Sequence, residues 1–444
     1  MRLPKTKLDQ VSVLLQQLPS DMARRLTLAA RQGDPALARL LEYCLDGPDV
    51  LARRGVFEPL KLISKDPKTH KPSRALAPSD LLDRLWEYGC ELAPDLREEA
   101  QALYSDFASI PEPEALLKLR VRLSDRVLEE IKRSEDNAKL RKRLIGRFQT
   151  PDLEAPQRIA KILKCAHILE DAVEGLPDTI PDWSDELSAT IRDRYEHVAD
   201  VDPDSGVWVL CLIMARMERP WRLLRVFERI ARRGDDLLVS KTDMGHVGDV
   251  LLDDAEFALS LFSKAPSTRD EARGAAKGLA DFAAVTVGMT REIGIRKDGS
   301  WGQRLFKLRS QASDAMSHIH SEVRDAVFRA TAEAGGLKTR IRTPVRSGEP
   351  EFERALALSQ FLIMTKDDAA RAAVGSAHTA LIDELRDRVE TLGETQLQAL
   401  RSETGEGQAA LQERVLDIAQ ILRALAGEEA GDLLVRRATA ALAA

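Results

Sequence analysis

Apolar residues recur at steps of three and four along most of this chain, a spacing that predicts helices almost from end to end. From Gly302 to Glu333, the positions Leu305, Leu308, Ala312, Ala315, Ile319, Val323, Ala326 and Ala330 form one continuous stripe. Val389, Leu392, Leu397, Leu400, Leu411, Val415, Ile418, Leu422 and Leu425 repeat the pattern near the C-terminus. The longest uninterrupted apolar run, Val207 to Ala215, stops at Arg216. It reaches about half a membrane span, so it predicts a helix buried on all sides and no transmembrane segment. No stretch alternates strictly between apolar and polar residues, and none therefore predicts a strand. The expected fold is all-α and multi-helical, in two or three packed helical domains.

Punctuation supports that division into helices. Asp34 before Pro35 is an N-cap with proline at the first helical position, and Gly47-Pro48 closes the same helix. Ser79 opens another, and Thr268 with Glu271 forms a capping box ahead of Leu279 and Phe282. The segment Leu14-Leu15-Gln16-Gln17-Leu18-Pro19-Ser20-Asp21-Met22-Ala23 resembles helical repeats built around a Leu-Pro-x-Asp/Glu turn. Such turns occur in flagellar switch proteins and in cytosolic domains of magnesium transporters. The resemblance spans one helical hairpin and does not recur at a fixed period.

Three stretches interrupt the pattern. Lys65 to Arg74 holds Pro67, Pro72 and five basic side chains counting His70, and is expected to be an exposed loop. Asp200, Asp202, Pro203 and Asp204 make an acidic turn. Gly335-Gly336 and Pro344 to Pro350 mark a boundary, beyond which Leu381 to Ala444 carries twelve acidic and seven basic residues. The expected organisation is an N-terminal helical region at 1–149, a central helical domain at 150–334, a basic Gly/Pro-containing linker at 335–350 and an acidic C-terminal helical bundle at 351–444.

Composition narrows the function classes. With 44% hydrophobic and 31% charged residues the chain belongs with soluble globular proteins. Its net charge of −6 argues against a surface given over wholly to nucleic acid. Cys44, Cys90, Cys165 and Cys211 each lie in apolar helical stretches and form no Cys-x-x-Cys pair, which predicts reduced, mostly buried thiols in a cytoplasmic protein. The basic start Met1 to Lys7 is followed by no apolar run, so no signal peptide is expected.

Motif chemistry is incomplete throughout. Gly274, Lys277 and Gly278 have the parts of a phosphate loop in the wrong order, and close helix packing explains them better. None of the seven histidines follows a glutamate at the Glu-x-x-His spacing of a di-metal bundle. His167, Glu170 and Asp171 are placed for a surface ion pair, and His318 lies between Asp314 and Glu322 on a solvated face, with His320 turned away from it. Asp200, Asp202 and Asp204 begin like a calcium loop, but Ser205 replaces its glycine and Cys211 its bidentate glutamate. Gly299-Ser300-Trp301-Gly302 is one residue short of a nucleophile elbow. No catalytic residue, cofactor or metal is expected, although a site assembled from distant residues would leave no local motif.

Basic clustering is the strongest candidate signal. Arg216 to Arg233 holds seven arginines and two glutamates, with Arg222, Arg225, Arg229 and Arg232 at helical spacing opposite Leu224, Phe227 and Ile230. Glu218–Arg222 and Glu228–Arg232 are spaced for i,i+4 pairs. Arg141, Lys142 and Arg143 form a second cluster, and Lys338, Arg340 and Arg342 a third. These residues are the candidate partner-binding face. The function they suggest is a scaffold or adaptor acting by protein–protein interaction. A nucleic-acid-associated regulator and an enzyme with a tertiary-assembled site are the alternatives. Interleaved aromatics for base stacking are missing.

Overall fold

The computed structural model describes residues 5–66, 76–105, 111–226, 245–332, 345–372 and 375–442. Over these residues the chain is all-α, as its periodicity predicts. Packing groups it into two compact units, Met1–Val226 with Thr242–Val250, and Phe227–Lys241 with Leu251–Ala444.

In the first unit α1 (Lys5–Gln16) and α2 (Ser20–Gly33) both pack on α3 (Pro35–Asp46). Asp34 caps α3 by accepting the amides of Ala36 and Leu37 at 2.9 and 3.1 Å. Gly47 ends α3 at φ +85°, a left-handed conformation that only glycine enters without cost, and α4 (Pro48–Val56) starts at once. A 3₁₀ turn, Glu58–Ile63, leads to β1 (Ser64–Lys65), which pairs in parallel with β2 (Ala77–Pro78). Most of the expected loop between them lies outside the described residues.

Next come α5 (Ser79–Leu92), α6 (Pro94–Leu103), α7 (Pro113–Arg133), α8 (Ala138–Phe148), α9 (Glu154–Lys164) and α10 (Ala166–Val173). α7 packs on both α5 and α9, and so joins the sequence on either side of Thr150. α11 (Asp185–Val201) and a 3₁₀ turn, Pro203–Ser205, bring the chain to α12 (Gly206–Arg216). Every residue of α12 from Gly206 to Met214 is buried, as expected of a helix with no polar face. The 174–184 connection is fixed to the end of α12. Ile180 N donates to Arg216 O at 2.7 Å, Glu218 N donates to Ile180 O at 3.1 Å, and the Arg216 guanidinium donates to Val173 O and Leu176 O.

The second unit takes α13 (Gly245–Phe262) from Leu251 onward, then α14 (Arg269–Glu292) and α15 (Ser300–Ala330). Thr268 caps α14 by accepting Glu271 N, while the Glu271 carboxylate accepts Ser267 N rather than closing the box on Thr268. Gly278 is where α13 comes close: a Cβ there would lie 2.7 Å from Leu261 Cβ and 2.8 Å from Ala258 O. α15 buries Leu305, Leu308, Ala312, Ile319, Val323, Ala326 and Ala330 as the stripe predicts, but Met316 takes the buried place expected of Ala315.

After α15 the described chain resumes with α16 (Pro350–Met364) and α17 (Lys366–Arg371), then α18 (Gly375–Ser402), α19 (Glu406–Ala426) and α20 (Glu428–Leu442). α16 is the hub of this unit, burying Phe352, Leu356, Leu358, Phe361 and Leu362 against α14, α15 and α19. Sequence on both sides of 335–350 therefore belongs to one unit. α18, α19 and α20 pack on one another. Among the described residues no helix is long and apolar enough to cross a membrane.

Candidate functional site

Five of the ten candidate basic residues are described. Arg141, Lys142 and Arg143 are exposed on α8, where Asn137 caps the helix by accepting Leu140 N at 3.0 Å. Arg141 and Lys142 make no ion pair among the described residues, whereas Arg143 reaches the Tyr88 hydroxyl. Arg222 departs from expectation. Residues Pro220–Leu223 form a 3₁₀ turn, which destroys the i,i+4 geometry with Glu218, and Arg222 pairs with Asp182 at 3.4 Å while only 21% of its side chain is exposed. Arg225 is exposed and Leu224 buried, as predicted. Arg229, Arg232, Lys338, Arg340, Arg342, Phe227 and Ile230 lie outside the described residues, as does the Glu228–Arg232 pair.

The histidine and acidic candidates resolve into separate roles. Glu170 does not pair with His167; it takes the buried Arg120 instead, at 2.9 Å. His167 faces a groove of about 690 Å³ between α10 and α11, shared with Asp171, Asp193, Arg194 and His197. No three His, Cys, Asp or Glu side chains among the described residues are grouped to hold a metal ion. Asp202 follows the end of α11 and accepts the Ser205 hydroxyl, so the acidic turn binds itself. Ser300 is exposed at the first turn of a helix with no strand before it, which is not a nucleophile elbow. His318 is exposed as expected.

The cysteines are all free; Cys44, Cys90 and Cys211 are buried and Cys165 half-buried. Burial pushes the Cys90 thiol up to about 11 despite the neighbouring Arg97, and raises Cys44 and Cys165 as well. These thiols stay protonated at neutral pH and are not activated nucleophiles.

His320 has a partner that its own neighbourhood in the sequence does not reveal. His378 on α18 is fully buried, and its Nε2–H donates to Leu362 O at 2.7 Å. Its Nδ1 is then an acceptor and takes the His320 Nε2–H at 2.9 Å, which fixes both rings as neutral Nε2–H tautomers. One turn along α15, Arg324 forms a fork with Glu384 of α18 (3.0 and 2.7 Å), and Arg388 lies 4.1 Å over the Phe328 ring. The pair thus sits in a polar seam joining α15, α16 and α18.

The most conspicuous surface is one that periodicity does not single out. Of thirteen large apolar side chains left exposed among the described residues, six fall between Val13 and Leu37. Leu14 is 63% exposed, Leu28 57%, Val13 54% and Met22 53%, with Leu26 and Leu37 close behind. The buried cluster beneath them consists of Leu15, Leu41 and Cys44, too small to cover every apolar position on three helices. α1–α3 as a whole is nearly balanced in charge, with six basic and five acidic residues over 5–46 and Arg31 paired with Glu42, but Arg24 and Arg25 are exposed on α2 beside Met22, Leu26 and Leu28. Arg24 and Arg25 make no ion pair among the described residues. α2 contains Met22, Leu26 and Leu28, yet among its described residues only Ala23 and Thr27 are buried.

The fold and these surfaces define a multi-helical all-α protein with an apolar N-terminal face that carries Arg24 and Arg25. Compared with known proteins, the chain matches no family model, no curated sequence and no solved structure.

Proposed function

We propose that this chain is a cytoplasmic adaptor that binds another protein by docking an acidic amphipathic helix of that partner on α1–α3. The observation that carries the proposal is the concentration of exposed apolar side chains between Val13 and Leu37. Soluble surfaces scatter such residues singly, and clusters mark places that are covered in use. Burial of each large aliphatic side chain is worth about 1.5–3 kcal/mol, so a few of them supply the core of an interface. Arg24 and Arg25, exposed beside these side chains, select the partner's sign and steer its approach. A second copy of the chain fits less well, because it would bring a second Arg24 and Arg25 to the same interface. Four free thiols suit a reducing compartment.

The test is quantitative co-purification from the native host with wild type and with the variant Leu14→Ser/Met22→Ser/Leu26→Ser. These positions are exposed, so the fold should tolerate the changes. The expected result is a partner retained by wild type and lost by the variant, with cross-links from α1–α3 to an acidic amphipathic segment. An unchanged partner set would overturn the proposal. So would a dimer, measured by light scattering, that the variant disperses.

A further inference from the structure

We propose that the first unit holds a binding site for a small organic anion with an apolar body, in a cleft formed by α2–α5 and α7. The cleft encloses about 890 Å³, within the range of small-molecule pockets. Its apolar lining comes from Leu51, Phe57 and Leu82, which are buried, together with Leu116 and the ring of Tyr104. Six cationic and four carboxylate side chains share the wall. Counting Asp46, the partner of Arg54, that leaves an excess of one positive charge, opposite in sign to the chain as a whole.

The cations are held in place rather than free to wander. Arg53 pairs with Asp83 at 3.1 Å and Arg54 with Asp46. Arg120, its side chain only 3% exposed, donates to Val56 O at 2.9 Å, Gly55 O at 3.2 Å and Glu170 at 2.9 Å. It is a fixed charge on the wall and also satisfies carbonyls at the end of α4. The rim pairs are solvated and individually weak, so an incoming anion displaces a carboxylate at little cost.

Tyr104 supplies the polar anchor. Its hydroxyl makes no hydrogen bond among the described residues, and burial pushes the phenol up to about 12, so it remains a donor. Gly55 makes its position available. A Cβ at residue 55 would stand 1.5 Å from the Tyr104 Oη, so only glycine lets the ring lie against α4. Glycine disfavours a helix, and here it makes room for a donor that has no partner among the described residues, beside Arg120. A phenol and guanidinium groups around an apolar lining suit a carboxylate, phosphate or sulfonate head on a hydrocarbon or aryl body.

The experiment titrates the full chain with 8-anilinonaphthalene-1-sulfonate, an aryl sulfonate whose fluorescence rises on leaving water. We expect one saturable site, with decanoate competing. Tyr104→Phe should weaken binding by several-fold, and Arg53→Glu/Arg54→Glu by roughly tenfold. Leu14→Ser/Met22→Ser should leave it unchanged, which separates the cleft from the α1–α3 surface. Non-saturating binding overturns the proposal. So does binding lost in the Leu14/Met22 variant, or indifference to both cleft variants. Tyr104→Phe is conservative enough to decide the matter even if the double charge reversal impairs folding.

Discussion

Protonating His320 means placing a cation beside a second imidazole and the Arg324 guanidinium, within reach of little water. Burial is the main reason its pKa is pushed down to about 4, with His378 and Arg324 adding repulsion; burial also lowers His378. In the unfolded chain both rings bind a proton near pH 6.5. Between about pH 6.5 and about pH 4 the unfolded state therefore binds more protons, and stability falls as the solution is acidified through that window, levelling off below it. Since His320 keeps some hydration, its share is about 2 kcal/mol rather than the full shift. His320→Gln retains an N–H donor for His378 Nδ1 but cannot titrate. Thermal unfolding followed by circular dichroism should show a smaller loss of Tm for this variant than for wild type between about pH 7 and about pH 5. Equal losses would refute the assignment. The sequence exposed half of this pair: helical spacing separates His320 from the solvated His318, but His378 lies beyond the reach of any local pattern. Arg222 teaches the complementary lesson, since correct i,i+4 spacing has no meaning where the backbone turns as a 3₁₀ helix.

At the scale of the helix, α14 contains a direct test of why its glycines are there. A Cβ added at Gly274 would meet nothing within 4 Å, whereas one at Gly278 would meet the backbone and side chains of α13 at under 3 Å. Gly274→Ala should stabilise by up to about 1 kcal/mol, because alanine is the better helix former. Gly278→Ala should destabilise by about 1–3 kcal/mol, because the two helices must move apart. Chemical denaturation of the two variants measures both signs, and a shared sign would contradict the packing described. Helix existence was legible because periodicity and caps are local: Asp34, Gly47 and Thr268 act where expected. The stripe of α15 was legible too, apart from Met316, whose flexible side chain fills a place that spacing alone assigned to Ala315. Helix neighbours were not legible. That α16 packs back on α14 and α15, across a stretch rich in glycine and proline, depends on contacts between residues far apart in the sequence.

Across the whole molecule, charge and apolar exposure are distributed unevenly. Exposed positive charge stands at Arg24 and Arg25 and at Arg141 and Lys142, while residues 381–444 carry a net −5. If the positive regions served nucleic acid, affinity would drop on the order of a thousandfold between about 50 and 200 mM salt for six neutralised phosphates. We expect duplex binding no tighter than about micromolar at physiological salt, measured by fluorescence anisotropy. Nanomolar binding that weakens when Arg141 and Lys142 are reversed to glutamate would favour the nucleic-acid alternative over a protein partner. The basic clusters were visible in the sequence because charge needs no fold to be counted. The apolar face of α1–α3 was not, since a leucine reads the same whether or not something covers it.

The bridge at Ile180 sets a timescale as well as a position. Residues 174–184 contain no helix, and such connections usually exchange their amide hydrogens with solvent quickly. Here Ile180 is 3% exposed, and its amide and that of Glu218 are both bonded across to the other segment. Releasing either amide requires the end of α12 to open. In heavy water, the Ile180 and Glu218 amides should therefore exchange at rates close to those of α12 itself, and Ile180 should stand out as a slow proton inside an otherwise fast loop.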